Sequence, residues 1–363
     1  MAASFERGDG MNYAPVAANK PEPVCGPGEF TFAAMALDHG HIYGQCNGLL
    51  EAGGTLKWVY DPDPAKVAAF LKAYPNVQVA SSPEAILEDP SVRMVAAAAV
   101  PSERAALGMQ VMAHEKDYFT DKTPFTTLAQ VEAARAQAAK TGRKYMVYYS
   151  ERLHVESAVY AGKLVQEGAI GQVVQVLGTG PHRLNAPSRP DWFFRKAQYG
   201  GILCDIGSHQ IEQFLFYAGC QDAKVLHSKV GNYRNPDHPE LEDFGDATLV
   251  GDNGATNYFR VDWLTPDGLG TWGDGRTVIL GTDGYIELRK YIDIARDKRG
   301  DHVYLVNHEG EHHLQVGGQV GYPFFGELIL DCLNRTEQAM SQAHAFKAGE
   351  LCVRAQQQAV VVR

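Results

Sequence analysis

The sequence lacks what would mark a membrane, fibrous or secreted protein. No stretch of its 363 residues approaches the roughly 20 consecutive apolar residues of a bilayer span. Its six cysteines (Cys25, Cys46, Cys204, Cys220, Cys332 and Cys352) form no C-x-x-C pair and have no histidine at zinc-finger spacing. They read as reduced, mostly buried small hydrophobes. Basic residues are in deficit: 33 Lys and Arg against 43 Asp and Glu give a net charge of −10, which argues against nucleic-acid or anionic-membrane partners. No repeat, low-complexity tract or metal constellation stands out, so no metal is expected. No basic n-region with an apolar run and no twin arginine opens the chain, and the cytoplasm is the expected location. What is present, 45% hydrophobic and 21% charged residues, is the composition of a globular enzyme of two domains.

Residues 1–29 carry Pro15, Pro21, Pro23 and Pro27 without periodicity, so they form neither a helix interior nor a central strand. Two readings stay open for them. One is a disordered leader. The other is an extended arm docking on a neighbouring subunit, with proline lowering the entropy lost on ordering.

From Phe30 short apolar runs alternate with helical segments. Strands are expected at Phe32–Leu37, Thr55–Tyr60, Arg93–Ala99, Asp117–Thr120 and Lys144–Tyr149. Helices are expected at Ile42–Ala52, Pro64–Ala73, Ser102–His114 (Ser102 as N-cap) and Thr127–Lys140. This alternation predicts a parallel, doubly wound Rossmann domain over 30–150, with ligands at the carboxyl ends of its strands. Residues 151–363 mix a helix at Ile206–Ala218 with strands at Val225–Tyr233, Ala247–Val250, Thr256–Trp263, Thr277–Leu280 and Tyr285–Leu288. Helices follow at Pro323–Leu333 and Ala343–Val361. That pattern predicts an α+β domain with an open, mostly antiparallel sheet and helices on one face, its last helix packing back on the first domain. The uncovered face suits a subunit partner, hence a homodimer or homotetramer. His302, His308, His312 and His313 lie on a polar segment and read as surface residues.

The first strand–helix turn reads Leu37-Asp38-His39-Gly40-His41-Ile42-Tyr43-Gly44. A dinucleotide fingerprint, G-x-G-x-x-G, would bring backbone close to a pyrophosphate at the helix N-terminus. With Gly40 as its second glycine, Asp38 and Tyr43 occupy the other two places. Asp38 would then have to turn away from the phosphate. Asp61, 21 residues beyond Gly40 at a strand end, suits an adenosine ribose and favours NAD over NADP; an ordinary turn residue is the alternative. His39 and His41 either face the cofactor or cap the helix.

Together with this turn, four further segments resemble the Gfo/Idh/MocA family of sugar and cyclitol oxidoreductases. Thr120-Asp121-Lys122-Thr123-Pro124 is similar to the family's E-K-P segment, although Thr123 separates the lysine from the proline. Thr141–Lys144 through Tyr149–Arg152, with Glu167–Val173, resembles the crossing into the second domain and that domain's first strand. Gly200-Gly201-Ile202-Leu203-Cys204-Asp205-Ile206-Gly207-Ser208-His209 matches the block G-G-x-x-x-D-x-G-x-H. The resemblance implies NAD held by Asp38–Tyr43, Asp61, Val100, Pro101, Asp121 and Lys122, and a catalytic set of Lys122, Asp205 and His209.

The residues suit that chemistry. Asp205 and His209 lie four apart, on one face of a helical stretch. An imidazole, with an unperturbed pKa near about 6.5, can take the alcohol proton as hydride leaves carbon. The carboxylate can hold the hydroxyl, and an ammonium can stabilise developing negative charge. Trp192 and Tyr149 (with Phe193) could stack on a ring, and His182, Arg183, Arg195 and Arg152 could bond hydroxyls. The bland alternative for Asp191–Phe194 is a hydrophobic hinge. Arg260, Asp262 and Trp263 are further candidates on one alternating run. The expected activity is hydride transfer between NAD(H) and a ring secondary alcohol of a sugar, glycoside or cyclitol. Two alternatives are a lyase or glycosidase that recycles NAD through a transient keto-sugar, and a non-catalytic dinucleotide sensor.

Overall fold

A computed structural model describes residues 10–19 and 21–362. The chain forms two compact units, one from residues 11–148 and 321–346, the other from 149–320 and 347–362, with Gly10. Neither is one continuous stretch: where the sequence suggests a single division at residues 150/151, the chain passes between units at 148/149, 320/321 and 346/347.

In the first unit the order is β1 (Thr31–Met35), α1 (His41–Glu51), β2 (Thr55–Tyr60), α2 (Pro64–Ala73), β3 (Gln78–Val79), α3 (Pro83–Leu87), β4 (Val92–Ala97), α4 (Arg104–Ala113), β5 (Asp117–Asp121), α5 (Leu128–Thr141) and β6 (Tyr145–Tyr148). Local chemistry sets the ends. Asp63 caps α2 through Ala65 N at 2.8 Å, with Pro64 at the first helical position. Thr127 and Gln130 form a capping box that opens α5, and Gly142, at φ 66°, closes it. The sheet is parallel, in the order β3-β2-β1-β4-β5-β6. Buried on both faces, β1 and β6 read as continuous apolar runs rather than alternating ones. The order reverses between β1 and β4, where such sheets open a ligand crevice.

Three details differ from expectation. Ser102 lies inside a 3-10 turn, Pro101–Glu103, and its carbonyl accepts from Gln130 rather than its hydroxyl capping α4. The short β3 and α3 went unread, each too brief for a period to show. Within the proline-rich leader, the described part docks on α1 of its own chain. Asn47 Nδ2 donates to the carbonyls of Ala14 and Pro15, Ala17 N donates to Glu51, and Val24 N to Ala52 O. The expectations for residues 1–9 and 20 lie outside the described residues.

The second unit carries α6 (Ser150–Leu153), α7 (Glu156–Gln166), α8 (Lys196–Tyr199), α9 (Ile202–Asp205) and α10 (Gly207–Ala218) beside nine strands. These are β7 (Val173–Pro181), β8 (Ala223–Gly231), β9 (Phe244–Gly251), β10 (Thr256–Asp262), β11 (Arg276–Gly281), β12 (Gly284–Arg289), β13 (His302–Asn307), β14 (Gly310–Gln315) and β15 (Val360–Val361). Their order is β14-β13-β12-β11-β7-β10-β9-β8-β15, antiparallel except for β7–β10 and β8–β15. Helix α10 packs on the inner face, where Phe259, Ile279 and Ile286 are buried. Outward, two exposed cross-strand pairs, Leu177 with Tyr258 and Leu280 with Tyr285, stand two residues apart along the strands.

The hairpin β13–β14 corrects one expectation: His302 is buried, its Nδ1 2.9 Å from Nε2 of His313 on the facing strand. His308, His312 and His313 are exposed. Two late helices complete the chain. In α11 (Pro323–Asn334), Phe324 and Phe325 pack on Phe119 of β5 in the first unit, to which both belong. The expected helix to Val361 ends earlier, as α12 (Gln342–Gln357), and β15 replaces its tail. No helix among the described residues is long and apolar enough to cross a membrane.

Candidate active site

At the strand tips of the first unit, the tight turn after β1 is made by Ala36, not a glycine. Ala36 sits in the left-handed region (φ 54°), held by bonds from its N–H to Tyr60 O and from Ala98 N to its carbonyl. The register that made Gly40 the second glycine of a phosphate loop is therefore wrong. Gly40 caps α1 with right-handed backbone (φ −63°), and its bareness serves Met11: a Cβ there would lie 2.4 Å from Met11 O. Ile42 is buried, and the Tyr43 ring packs on Phe70 and Tyr74.

The carboxylates at these tips divide the work. Lys66 on α2 pairs with Asp38 at 2.5 Å, which offsets this acid's charge. Asp61, at the tip of β2, accepts from Leu37 N (2.7 Å) and Asp63 N (2.9 Å). A carboxylate has about four lone-pair sites, so two remain for ribose hydroxyls. Val100 and Pro101 add buried apolar surface after β4. This donor set fits a dinucleotide.

Asp121 is the hub of a buried cluster. Its oxygens meet His41 Nδ1 (2.8 Å), Arg104 Nη2 (3.1 Å) and Lys122 N (2.8 Å), with His39 Nδ1 at 3.5 Å. Burial alone would raise the Asp121 carboxyl, but His41 and the charge of Arg104 hold it far below the usual carboxylate range. Burial, with the cations around it, drives His39 far down instead. Three donor atoms of His39, His41 and Asp121 lie within 4.8 Å of one another, as in a metal site. They are spent internally, since His41 N donates to His39 Nδ1 and Arg104 to Asp121. Arg104, fully buried, also donates to the carbonyls of Ala99, Lys122 and Thr123, and so clamps the segment that carries Lys122. The Lys122–Thr123 bond is cis.

In the second unit Ile206 keeps helical dihedrals (φ −79°, ψ −37°) between α9 and α10, so Asp205 and His209 share one face as expected. Both are buried. Near them in sequence, Gln210 lies over two glycines of β7: a Cβ on Gly178 would stand 2.1 Å from its Oε1 and one on Gly180 3.0 Å from its Nε2. Gln210 Nε2 then reaches Glu151, which also pairs with Lys290 Nζ (3.0 Å) and faces His182 Nε2 (3.8 Å). Lys290 bonds Gln213 as well (2.7 Å).

His182 lies among Trp263 and Trp272, with ring centroids 5.3 and 4.5 Å away. Tyr149 is buried, Trp192 half-buried and Arg195 exposed. Phe193, beside Trp192, packs inward on Trp263 and Tyr199, as a hinge would. Two expected hydroxyl binders are committed elsewhere. Arg152 grips Glu212 and lies over Phe216, while Arg183 donates to the carbonyls of Pro266 and Leu269. Arg260 pairs with Asp262 on one face of β10.

Comparison with known proteins decides the family. Residues 24–149 match the oxidoreductase family with an NAD-binding Rossmann fold, and residues 159–287 match the GFO/IDH/MocA C-terminal domain. The chain belongs to the GFO/IDH/MocA oxidoreductases. It is 51% identical to a protein of Erwinia carotovora atroseptica SCRI1043 whose crystal structure aligns with a TM-score of 0.90 over 92% of this chain and 100% of that one. The aldose-aldose oxidoreductase of Caulobacter crescentus, solved with glycerol, shares the fold at 20% identity and a TM-score of 0.73, over 90% of this chain and 97% of that one. The D-xylose dehydrogenase of Paenarthrobacter nicotinovorans is 26% identical over 151 residues, 40% of this chain and 38% of that relative's length. The cofactor of this GFO/IDH/MocA chain is NAD, and its Rossmann unit binds it.

Four polar residues of this GFO/IDH/MocA chain escaped the sequence: Glu151, Gln210, Gln213 and Lys290. One signal was available for them. Gly178-Thr179-Gly180 inside a strand announces that something packs closely on that face, and it is Gln210.

Proposed function

We propose that the chain is an NAD(H)-dependent dehydrogenase acting on a ring secondary alcohol of a sugar, glycoside or cyclitol. The observation that carries the substrate class is the interior around His182. Trp263 Nε1 and Thr265 Oγ1 are buried there with no hydrogen-bond partner among the described residues, as is Thr271 Oγ1, next in the chain to Trp272. Each such atom costs about 1–3 kcal/mol unless a ligand satisfies it. Hydroxyls, which both donate and accept, suit this set.

When bound, NAD accepts or returns the hydride. In this reading His209 takes the hydroxyl proton on an imidazole nitrogen, Asp205 accepts a hydrogen bond from the substrate, and Lys122 stabilises charge on the oxygen. His182, Tyr149, Trp192 and Arg195 contact the ring, while Arg152 and Arg183 shape the walls through their protein partners. Asp61 favours NAD over NADP by repelling a 2′-phosphate. The exposed row of Leu177, Tyr258, Leu280 and Tyr285 supports assembly of like chains through the open sheet. A cytoplasmic setting accords with the reduced cysteines.

The test is a screen of sugars, inositols and glycosides, read by absorbance of reduced nicotinamide with NAD and NADP in parallel. Turnover with NAD on some member is expected, with net NADH accumulating. His209→Ala should then lose about 10²–10⁴ in kcat while NAD binding stays unchanged. No turnover across the panel, or a His209→Ala enzyme as fast as the parent, refutes the reading.

A further inference from the structure

At the amino-terminal edge of the first unit's sheet, the edge away from the strand tips, lies a cavity of about 460 Å³. None of the residues assigned to NAD or substrate lines it. Its wall gathers Arg135, Arg143, Lys144 and Arg335 against a single carboxylate, Glu337, in a chain whose net charge is −10. Phe346, with Ala138 and Ala139, gives the cavity an apolar side.

The four cations are not equivalent. Arg335 is spent on both oxygens of Asp117 (3.0 and 2.7 Å) and on Gly142 O. Lys144 donates to Thr336 O. Arg135 stands over the Phe346 ring at 5.6 Å. Arg143 is different: its Nε is buried without a hydrogen-bond partner, and no carboxylate pairs with it among the described residues. It also lines a second cavity of about 340 Å³, next to Lys116, whose amine is spent on the carbonyls of Asp89 and Val92. A guanidinium cannot shed its proton to escape this position, and its fork matches an oxyanion in two parallel bonds.

We propose that this cavity binds a small organic oxyanion, a phosphate ester or a carboxylate with an apolar body, with Arg143 as its principal ligand. The excess of positive charge favours the dianion, and Phe346 receives the apolar part. The site is separate from the proposed reaction and does not depend on it.

Calorimetric titration of the full chain with phenyl phosphate and with benzoate, under saturating NAD so that the dinucleotide site is filled, tests this. Phenyl phosphate is expected to bind with a Kd of about 1 mM or tighter, and benzoate more weakly. Arg143→Gln should weaken phenyl phosphate about tenfold or more, with Arg143→Lys in between. Glu337→Gln, at a carboxylate that pairs with no cation among the described residues, removes the lone acid and should tighten it about twofold, a check independent of whether the Arg143 variants fold. Absence of binding up to about 10 mM, or equal affinity in parent, Arg143→Gln and Glu337→Gln, overturns the proposal.

Discussion

Asp121 in the first unit and Glu151 in the second are both buried carboxylates surrounded by cations and amides, and they are served differently. Every donor around Asp121 returns to the protein: His41, Arg104 and the Lys122 amide close on it, and Arg104 uses its other nitrogens on three carbonyls. Around Glu151 the partners are Lys290, Gln210 and the more distant His182. His182 in turn borders Trp263 and Thr265, with their unpartnered polar atoms, and Trp272, whose chain neighbour Thr271 carries another. The first cluster is closed and holds backbone in place. The second is open, and its leftover hydrogen-bonding capacity is what a hydroxylated ligand would take up.

The contrast can be broken most forcefully at Arg104. Arg104→Met should cost about 3–5 kcal/mol in urea unfolding, because it takes the guanidinium charge from a buried carboxylate and a donor from three carbonyls at once. Lys290→Met should cost less, about 2 kcal/mol, since Gln210 still donates to Glu151. Equal losses would mean that the two clusters do not differ in kind.

Charge compensation also predicts opposite pH responses. Asp121 lies below its unfolded value, so its contribution to stability is present above about pH 4 and is lost as pH falls. Asp301 has no cation paired with it among the described residues, and burial pushes its carboxyl up to about 6. Its contribution is complete below about pH 4 and is lost as pH rises through about 6. Asp301→Asn should therefore flatten the fall in melting temperature between about pH 4 and 7 while leaving the acid limb intact. An unchanged slope in that window would remove Asp301 as its source.

Smaller effects sharpen the open side. Trp263→Phe deletes a donor without a partner among the described residues, so KM for the substrate should rise about five- to tenfold, alongside a loss of about 1–2 kcal/mol of stability from its packing on His182 and Phe193. A loss of stability without a change in KM would assign Trp263 to packing. Asp61→Asn should narrow the preference for NAD over NADP by about tenfold, read from the ratio of kcat/KM values. An unchanged ratio would leave Asp61 to its two amide bonds.

Much of the fold was legible because its causes are local. Asp63-Pro64 and Thr127-x-x-Gln130 mark helix starts by their own chemistry, and both helices begin there. The phosphate-loop register was misread because a left-handed turn was sought at a glycine, whereas Ala36 adopts it under two long-range backbone bonds. His302 was misplaced for a related reason, since a polar hairpin buries it only through pairing with β14. Asp205 and His209 were visible as a short-range block. Glu151 and Lys290, 139 residues apart, were not: each looks like an ordinary surface charge until the other is beside it. The clamp of Arg104 was hidden likewise, because its acceptors are carbonyls and no side-chain code announces them.

The return of residues 321–346 to the first unit sets a timetable for the nascent chain. The ribosome finishes all six strands of the parallel sheet long before Phe324 and Phe325 arrive to cover Phe119, and the whole of the nine-stranded sheet but its last short strand is made in between. Until then the apolar patch around Phe119 stays open to chaperones or to other unfinished chains. A cut after residue 148 would release a fragment without its own cover, so this dinucleotide-binding unit should be the aggregation-prone partner in any truncation.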